Sequence, residues 1–512
     1  MPRIALTLIA LTIALVVAAG CGKDGASSSG AASLAPAGSL VYGEATLAPE
    51  GDQKAAIDAL LAKFPGDGNA GEHIRSLMEK AFAESDSGLS YESDVEPWLG
   101  DEAGFFVSEI EPEGEDAGVA LVVATEDEDK AEDAIEKAAE GEGTQASYKD
   151  HDYYALEDDG AAGLVDGWVV IGNERGFKAA VDTVEGGEPI EDDEAFERTL
   201  EDAPEERLGF LYMNSPALYE ELQKSASAAM LPQQLRRVFD EPLLATVNAG
   251  DKGVRFEGTV PASLLAGLPV VAEGSGAASE LPSGSWLAMA QPDLARTLES
   301  YVDLVAGTVG GRDVVAQQLE AATGLDLEQD VLSWMGDWSV FVRGTRVSDV
   351  DGALTIETTD EQASGRFIEA VGRLVRKDSE VGRSVGPLDL PGGGEGLTMR
   401  GGELSRPIHL LQREGKVVMA YGDAAARDAL DPAETLADTP AYADAEAVLG
   451  GDYAVSFYLA IASVLELAQS AGAASSEEFQ QALPYLEPLG ALVGGAHKDG
   501  DKLRSAFGLT VR

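Results

Sequence analysis

The chain of 512 residues contains a single cysteine, Cys21, and only four histidines. One cysteine cannot form a disulfide within the chain, so the fold must rely on its hydrophobic cores. The histidines, at positions 73, 151, 409 and 497, show no metal-ligand spacing. With one cysteine and unpaired histidines we expect neither a zinc nor an iron site, and no motif indicates a cofactor.

Positive charge is also scarce. The sequence has 36 Lys and Arg residues against 91 Asp and Glu residues, which gives a formal net charge of −55. So acidic a field repels nucleic acid, anionic lipid surfaces and polyphosphates, and no nucleic-acid partner is expected. The apolar fraction of 45% and the charged fraction of 25% are ordinary for globular proteins, which excludes wholesale disorder.

Long apolar runs are absent except at the N-terminus. Arg3 precedes an apolar run over residues 4–17, and the small residues Ala18-Ala19-Gly20 lead to Cys21. This pattern resembles a bacterial lipobox, although Ala18 stands where Leu is commonest. It predicts a signal peptide over residues 1–20, removed so that Cys21 becomes a lipid-modified N-terminus. The alternative is an ordinary secretory signal with an incidental cysteine.

The segment after Cys21 is rich in Gly, Ala and Ser. We interpret residues 21–34 as a flexible tether between the lipid and the folded part of the chain. No second apolar run reaches the roughly 20 residues that a membrane-spanning helix needs. The sequence therefore predicts a protein anchored by lipid to the extracytoplasmic face of a bacterial cell membrane.

Two blocks of the chain repeat the same motif at a spacing of 236 residues. Each block has Asp-Val, then Trp-x-Gly-Asp, then an aromatic strand. The repeated positions are Trp98, Gly100 and Asp101 in the first block and Trp334, Gly336 and Asp337 in the second. Flanking segments match in the same order, so we predict two copies of one domain, over residues 35–262 and 281–512. Residues 263–280 are the expected linker.

Each predicted copy mixes strands and helices. Adjacent strands joined by short connections indicate antiparallel pairing. Thr125 with Glu128, and Thr358 with Glu361, have the spacing of capping boxes and predict a helix directly after a strand. The expected fold is α+β, with two tandem homologous domains, each a mainly antiparallel sheet with helices packed on one face.

The Trp-x-Gly-Asp motif has a structural and a catalytic interpretation. In the structural one, the Trp is buried on a short helix, the Gly ends that helix in a left-handed conformation, and the Asp begins the strand. In the catalytic one, Asp101 and Asp337 are equivalent acids at two sites. The structural interpretation explains each offset in the motif and is favoured.

One nucleophile motif is present: Gly-x-Ser-x-Gly over residues 382–386, followed by Asp389 and His409. The serine lacks the apolar strand before it and the helix after it that a nucleophile elbow requires, so we interpret the segment as a loop. Acidic runs could bind calcium, but no EF-hand spacing occurs, and such runs are typical of solvated helix starts. No catalytic or metal-binding residue is predicted.

The opening Pro-x-Gly-Ser-Leu, the Asp-Val-x-Pro-Trp-Leu-Gly block before a strand, and the duplicated architecture resemble DUF3352, an uncharacterised bacterial family. The resemblance covers essentially all of the chain after the signal peptide. Because the family has no assigned activity, it implies no functional residues for this chain.

These observations favour a non-catalytic, membrane-anchored binding, carrier or scaffold protein for a hydrophobic component of the cell envelope. The alternative is an extracellular hydrolase that uses paired carboxylates, since acids are the only abundant catalytic side chains. A third possibility is an envelope component that only interacts with other proteins. Two carboxyl groups across a cleft, one of them desolvated, would favour the hydrolase, and an apolar cavity would favour the carrier.

Overall fold

The computed structural model describes most of the chain after the N-terminal segment. The described residues are 30–65, 70–84, 88–110, 117–140, 143–201, 203–204, 207–224, 239–261, 276–377, 384–392, 394–401, 404–451, 453–500 and 502–512. The predicted signal peptide, Cys21 and most of the predicted tether and linker lie outside them. Within these ranges no helix has both the length and the apolarity needed to cross a membrane.

The chain divides into two units. The first comprises Met1–Asp251 and Phe256–Thr259, and the second comprises Lys252–Arg255 and Val260–Arg512. Each unit mixes helices with an antiparallel sheet, so the predicted α+β class is confirmed.

The first unit contains strands whose pairing is antiparallel throughout. They are β1 (Val41–Thr46), β2 (Leu99–Ile110), β3 (Ala117–Thr125), β4 (Thr144–Tyr148), β5 (His151–Ala155), β6 (Gly160–Val165), β7 (Trp168–Asn173), β8 (Gly209–Met213) and β9 (Leu243–Gly250). Their order in the sheet is β4-β5-β6-β7-β3-β2-β1-β8-β9. Strand β9 also pairs with β10 (Gly253–Pro261).

The second unit has an equivalent set of antiparallel strands. They are β11 (Ser285–Gln291), β12 (Met335–Arg343), β13 (Asp351–Thr358), β14 (Val385–Pro387), β15 (Glu395–Met399), β16 (Ile408–Arg413), β17 (Lys416–Tyr421), β18 (Ala454–Ala460), β19 (Leu489–Asp499) and β20 (Lys502–Val511). The order is β14-β15-β16-β17-β13-β12-β11-β18-β19-β20. From β14 to β19 this order repeats that of β4 to β9.

The helices occupy corresponding places between the strands. In the first unit they are α1 (Gly51–Leu61), α2 (Ala70–Glu84), α3 (Glu128–Ala139), α4 (Glu174–Val184), α5 (Glu194–Leu200) and α6 (Ser215–Lys224). In the second they are α7 (Leu294–Val309), α8 (Arg312–Thr323), α9 (Glu361–Lys377), α10 (Asp423–Asp428), α11 (Pro440–Leu449), α12 (Ile461–Ser470) and α13 (Glu477–Leu486).

Helices pack against both faces of the sheet in the first unit, so the prediction of helices on one face was wrong. In β3, Ala120 and Val122 belong to the core under α4, whereas Leu121 and Val123 belong to the core under α3. The physical reason is visible in the strand itself. Its inner residues are almost uninterruptedly apolar, as in strands buried on both faces, rather than alternating between apolar and polar.

The predicted tether and linker each end inside the fold. Ala31–Leu34 and Ala277–Glu280 form short 3₁₀ helices, and both contribute fully buried residues to the cores. Residues 31–34 and 277–280 therefore belong to the folded part of the chain. A repeated Gly-Ala-Ala-Ser, beginning at Gly30 and at Gly276, starts both 3₁₀ helices. Gly, Ala and Ser are common both in tight buried turns and in flexible tethers. Composition alone therefore could not show that these residues belong to the fold.

The helices predicted after β3 and β13 are present, but the capping residues were wrong. Asp127 accepts a hydrogen bond from the Lys130 N–H, and Asp360 accepts from the N–H groups of Gln362 and Ala363. Each Asp lies two residues beyond the Thr that was predicted to cap the helix. An Asp at this position also places a negative charge at the positive end of the helix dipole.

Candidate functional site

The two tryptophans of the repeated motif are buried structural residues. Trp98 is 6% exposed and Trp334 is 0% exposed. Each follows a short π-helical turn, and each indole N–H donates to the carbonyl oxygen four residues earlier. The distances are 2.7 Å from Trp98 Nε1 to Asp94 O and 3.0 Å from Trp334 Nε1 to Asp330 O. The indole thereby packs in the core while its polar atom is satisfied locally.

The glycines of the motif do not have the predicted left-handed conformation. Gly100 and Gly336 lie within strands β2 and β12, and neither has a positive φ. Close backbone approach explains them instead. A Cβ on Gly100 would lie 2.7 Å from the carbonyl oxygen of Ala124, and one on Gly336 would lie 3.0 Å from that of Glu357. The neighbouring strand excludes a side chain at both positions.

The aspartates of the motif, which the catalytic interpretation treats as equivalent acids at two sites, both make structural contacts. Asp101 uses its backbone carbonyl to accept from the N–H groups of Leu47 and Ala48. Asp337 is exposed, and its carboxylate accepts from the Asp293 N–H at 3.1 Å. The aspartates therefore serve in chain pairing and in the start of α7.

The Gly-x-Ser-x-Gly segment is not a nucleophile elbow. Ser384 directly precedes the short strand β14, which pairs with β15, and no helix follows it. His409 is fully buried on β16, where its two ring nitrogens contact Thr398 Oγ1 at 3.0 Å and Asp423 Oδ1 at 2.7 Å. Asp389 instead pairs with Arg400. Val385 and Gly386 lie in β14 rather than in a loop, and residues 382 and 383 lie outside the described residues. Sequence order had placed Asp389 with His409, whereas its acidic partner is Asp423.

A pair of glutamates that the sequence analysis missed lies inside the first unit. Glu44 on β1 and Glu102 on β2 are diagonal neighbours on one face of the sheet. The Tyr42 hydroxyl donates to Glu44 at 2.9 Å, and the Ala31 N–H donates to Glu102 at 2.6 Å. Burial raises the pKa of Glu44, and burial together with the charge of Glu44 raises the pKa of Glu102 to about 7.

The second unit carries a broad apolar surface on its sheet, which we call the open face. It consists of side chains from five neighbouring strands, none of them fully buried: Leu287, Met289, Val340, Val342, Phe457, Leu459, Leu492, Phe507 and Leu509. The opposite sides of the same strands are closed. Their residues are all buried in one core: Ala288, Ala290, Phe341, Val455, Tyr458, Ala491, Val493 and Ala506.

The helices near the open face leave their own apolar side chains half exposed. Helix α12 contacts β11 and β19 but has no fully buried side chain. On α7, which contacts β12, Tyr301, Val305 and Val309 form a stripe at four-residue spacing and are 49%, 47% and 43% exposed. Apolar groups on both the sheet and the helices therefore remain accessible, which is the lining that an apolar ligand requires.

The first unit shows a related surface on a smaller scale. Leu211 on β8 is 38% exposed and lies opposite Gly43 of β1, whereas its neighbours Phe210 and Tyr212 are buried on the other face. The ring of Phe105 occupies the space above Gly43. Sequence reasoning could not find either surface, because the strands that form it are far apart in the chain.

Two solved structures, described as crystal forms IV and I of TP0453, show some similarity to this chain. Each is 11% identical, and they cover 45% and 46% of this chain and 79% of their own chains, with TM-scores of 0.26 and 0.24. These scores are too low to support a conclusion about fold or function. No curated protein matches the chain. A family model described as a protein of unknown function matches residues 4–390, well over half of the sequence, so the predicted resemblance is confirmed and the chain belongs to DUF3352.

Proposed function

We propose that this protein is a non-catalytic, lipid-anchored binding or carrier protein on the extracytoplasmic face of a bacterial membrane. It consists of two tandem homologous α+β domains, and it takes up a hydrophobic component of the cell envelope on the open face of the second domain. The observation that carries the proposal is the contrast between the two sides of the same five strands, one closed and one apolar but accessible.

Matching local geometry supports the tandem domains. Ser33 and Ser279 each donate a hydroxyl hydrogen bond to the glycine carbonyl that precedes their 3₁₀ helix, at 2.7 and 2.8 Å. Ser39 and Ser285 each donate to a proline carbonyl three residues earlier, both at 2.7 Å. Such local agreement, added to the common strand order, is the pattern expected of a duplicated domain.

The energetics of the open face support an apolar ligand. Removing apolar surface from water contributes about 25 cal/mol per Å². A ligand that covers roughly 300 Å² of this surface would gain on the order of 7 kcal/mol before the costs of association. An apolar face that remains accessible to water is unfavourable, which favours a bound apolar group such as an acyl chain. The half-exposed side chains of α7 and α12 can adjust around such a group.

The predicted lipid anchor fits the start of the fold. Cys21 precedes Gly30, the first described residue, by nine positions. Even a fully extended chain of that length spans only about 30 Å, so the first domain would remain close to the membrane surface. A carrier of envelope components benefits from this proximity to the lipid from which it takes its ligand.

The hydrolase alternative has less support. Glu44 and Glu102 are a desolvated carboxyl pair, and one oxygen of each accepts from the Tyr42 hydroxyl or from the Ala31 N–H. These contacts give both carboxyl groups a structural role that needs no substrate.

Ligand capture by a soluble variant tests the proposal. Cys21→Ser should release the exported protein from membranes, and this variant should bind a fluorescent fatty-acid analogue or a co-purifying lipid identified by mass spectrometry. Phe507→Glu places a charge in the open face and should weaken probe binding by at least about tenfold. Leu404→Glu is the control, because Leu404 is 41% exposed but lies outside the open face. Equal binding by both Glu variants would refute the assigned surface.

A further inference from the structure

The second unit contains a polar cleft at a place where the first unit is solidly packed. The cleft has a volume of about 370 Å³, within the range of small-molecule sites. It lies on the closed side of the sheet, next to the 3₁₀ helix Ala277–Glu280, and is separate from the open face.

Strand pairing identifies the equivalent positions in the two units. Trp168 begins β7 and pairs with Ala124 of β3, and Lys416 begins β17 and pairs with Glu357 of β13. Both follow a two-residue turn with positive φ, Asp166-Gly167 in one case and Glu414-Gly415 in the other. Trp168 is fully buried, whereas Lys416 and Glu357 line the cleft.

The same exchange of apolar for polar residues continues along the neighbouring strands. Val122, which is fully buried, pairs with Gly104, and the equivalent pair in the second unit is Thr355 with Ser339. Both hydroxyl side chains line the cleft. Thr355 is only 7% exposed, and its hydroxyl makes no hydrogen bond to another described residue. A largely buried hydroxyl that has no partner among the described residues, at the wall of a cleft, is suited to a bound ligand.

The charges that line the cleft favour a cation. Its carboxylates are those of Glu280, Asp337, Glu357 and Asp428, and Lys416 is its one cationic lining residue. Asp428 is neutralised by Arg343 at 2.6 Å, which leaves three acids against one ammonium group. Among the described residues no group of three or more acids, histidines or cysteines is placed to hold a metal ion. The acids are therefore arranged for an organic cation rather than a metal.

We infer that this cleft binds a small hydroxylated organic amine, of the amino-sugar type. The carboxylates of Glu357 and Asp337 bind the ammonium group. Ser339, Thr355 and Lys416 bind the hydroxyl oxygens.

Titration of the soluble Cys21→Ser protein with three ligands of one ring size tests the inference. D-glucosamine should bind saturably with one site per chain. N-acetylglucosamine, which lacks the charge, and glucuronate, which reverses it, should bind at least about tenfold more weakly. Failure of glucosamine to saturate, or equal binding of all three ligands, would overturn the inference.

Three substitutions locate the site, and a fourth serves as the control. Lys416→Trp should fill the cleft as Trp168 fills its counterpart and abolish glucosamine binding. Thr355→Val removes one hydroxyl at constant volume and should weaken binding about tenfold; it serves as an independent test if the larger substitution fails to fold. Glu357→Gln should weaken binding to a similar extent, and Glu369→Gln, at an exposed residue of α9 outside the cleft, should not. Unchanged binding in both Lys416→Trp and Thr355→Val would refute the site. Binding of the fatty-acid probe should be unaffected by all four variants, so this inference and the proposed function can fail separately.

Discussion

The carboxylate of Glu102 accepts a hydrogen bond of 2.6 Å from the backbone N–H of Ala31, where the chain enters the first unit. The contact joins the initial 3₁₀ helix to the second strand of the sheet, across 71 positions of sequence. It also holds a carboxyl group in a partly buried position beside Glu44. The N-terminal boundary of the fold is therefore coupled to an ionisable group.

Because burial raises the pKa of Glu102 to about 7, its effect on stability depends on pH. The group titrates near 4.5 in an unfolded chain, so folding favours its protonated form. Its stabilising contribution is complete below about pH 4.5 and is lost as the pH rises through about 7. The loss amounts to at most about 3 kcal/mol.

Glu102→Gln retains an oxygen for the Ala31 N–H but removes the charge. We expect this variant to be more stable than the parent protein at pH 8 and equally stable at pH 4.5. Urea unfolding at a series of pH values measures the difference. Glu136→Gln, at an exposed position on α3, should leave the pH profile unchanged. A parallel shift of the Glu102→Gln profile at every pH would contradict the role of ionisation.

Truncation of either motif tryptophan should destabilise its own unit. Trp98→Ala and Trp334→Ala remove large buried side chains, and each should lower the free energy of unfolding by about 3–5 kcal/mol. Trp98→Phe keeps an aromatic ring but loses the 2.7 Å hydrogen bond to Asp94 O, so it should cost less than the alanine variant. Calorimetry that shows no effect of Trp98→Ala would mean that the side chain does not support the core.

Much of the local structure was predictable, because short segments of the sequence determine it. The paired strands that follow Trp98 and Trp334, and the helix after each pair, follow from apolar patterning and nearby Asp and Thr residues. Even the errors there are local: Asp127 rather than Thr125 caps its helix, since both residue types accept hydrogen bonds and only the backbone path decides between them.

The surfaces were not predictable, because they depend on long-range strand order. Phe507 and Leu287 share the open face only because of the strand order. Strand β11 pairs with β18, β18 pairs with β19, and β19 pairs with β20. The polar cleft is recognised by comparing Trp168 with Lys416, and this comparison requires the position of each residue in its sheet. A single sequence shows the repeat but does not show which of its differences face a cavity.

The close approach of strands at the motif glycines predicts a graded response to substitution. Gly100→Ala places a Cβ 2.7 Å from Ala124 O and should cost about 1–3 kcal/mol, and Gly336→Ala, at 3.0 Å from Glu357 O, should cost less. Gly386→Ala is the control, because nothing lies within 4 Å of the added Cβ.

Asn tolerates a left-handed conformation better than Ala does. The close-approach and left-handed explanations of Gly100 therefore predict different effects of Gly100→Asn. Gly100→Asn should be at least as harmful as Gly100→Ala; a milder effect of Asn, measured by urea unfolding, would restore the left-handed explanation.

Repulsion among the acidic residues should make the stability of the protein depend on salt. Removal of the predicted signal peptide, with the one positive charge of Arg3, would change the formal charge from −55 to −56. Repulsion among so many carboxylates opposes the compact state, and dissolved ions screen it over a Debye length of about 8–10 Å near physiological ionic strength. We therefore expect the melting temperature to rise as NaCl increases from low to moderate concentration, as measured by differential scanning calorimetry. Because the acidic runs lack EF-hand spacing and are typical of solvated helix starts, Ca²⁺ at matched ionic strength should add little. A saturable rise in melting temperature at micromolar Ca²⁺ would instead show that some of the acids form a specific site, and no response to either salt would show that repulsion does not limit stability.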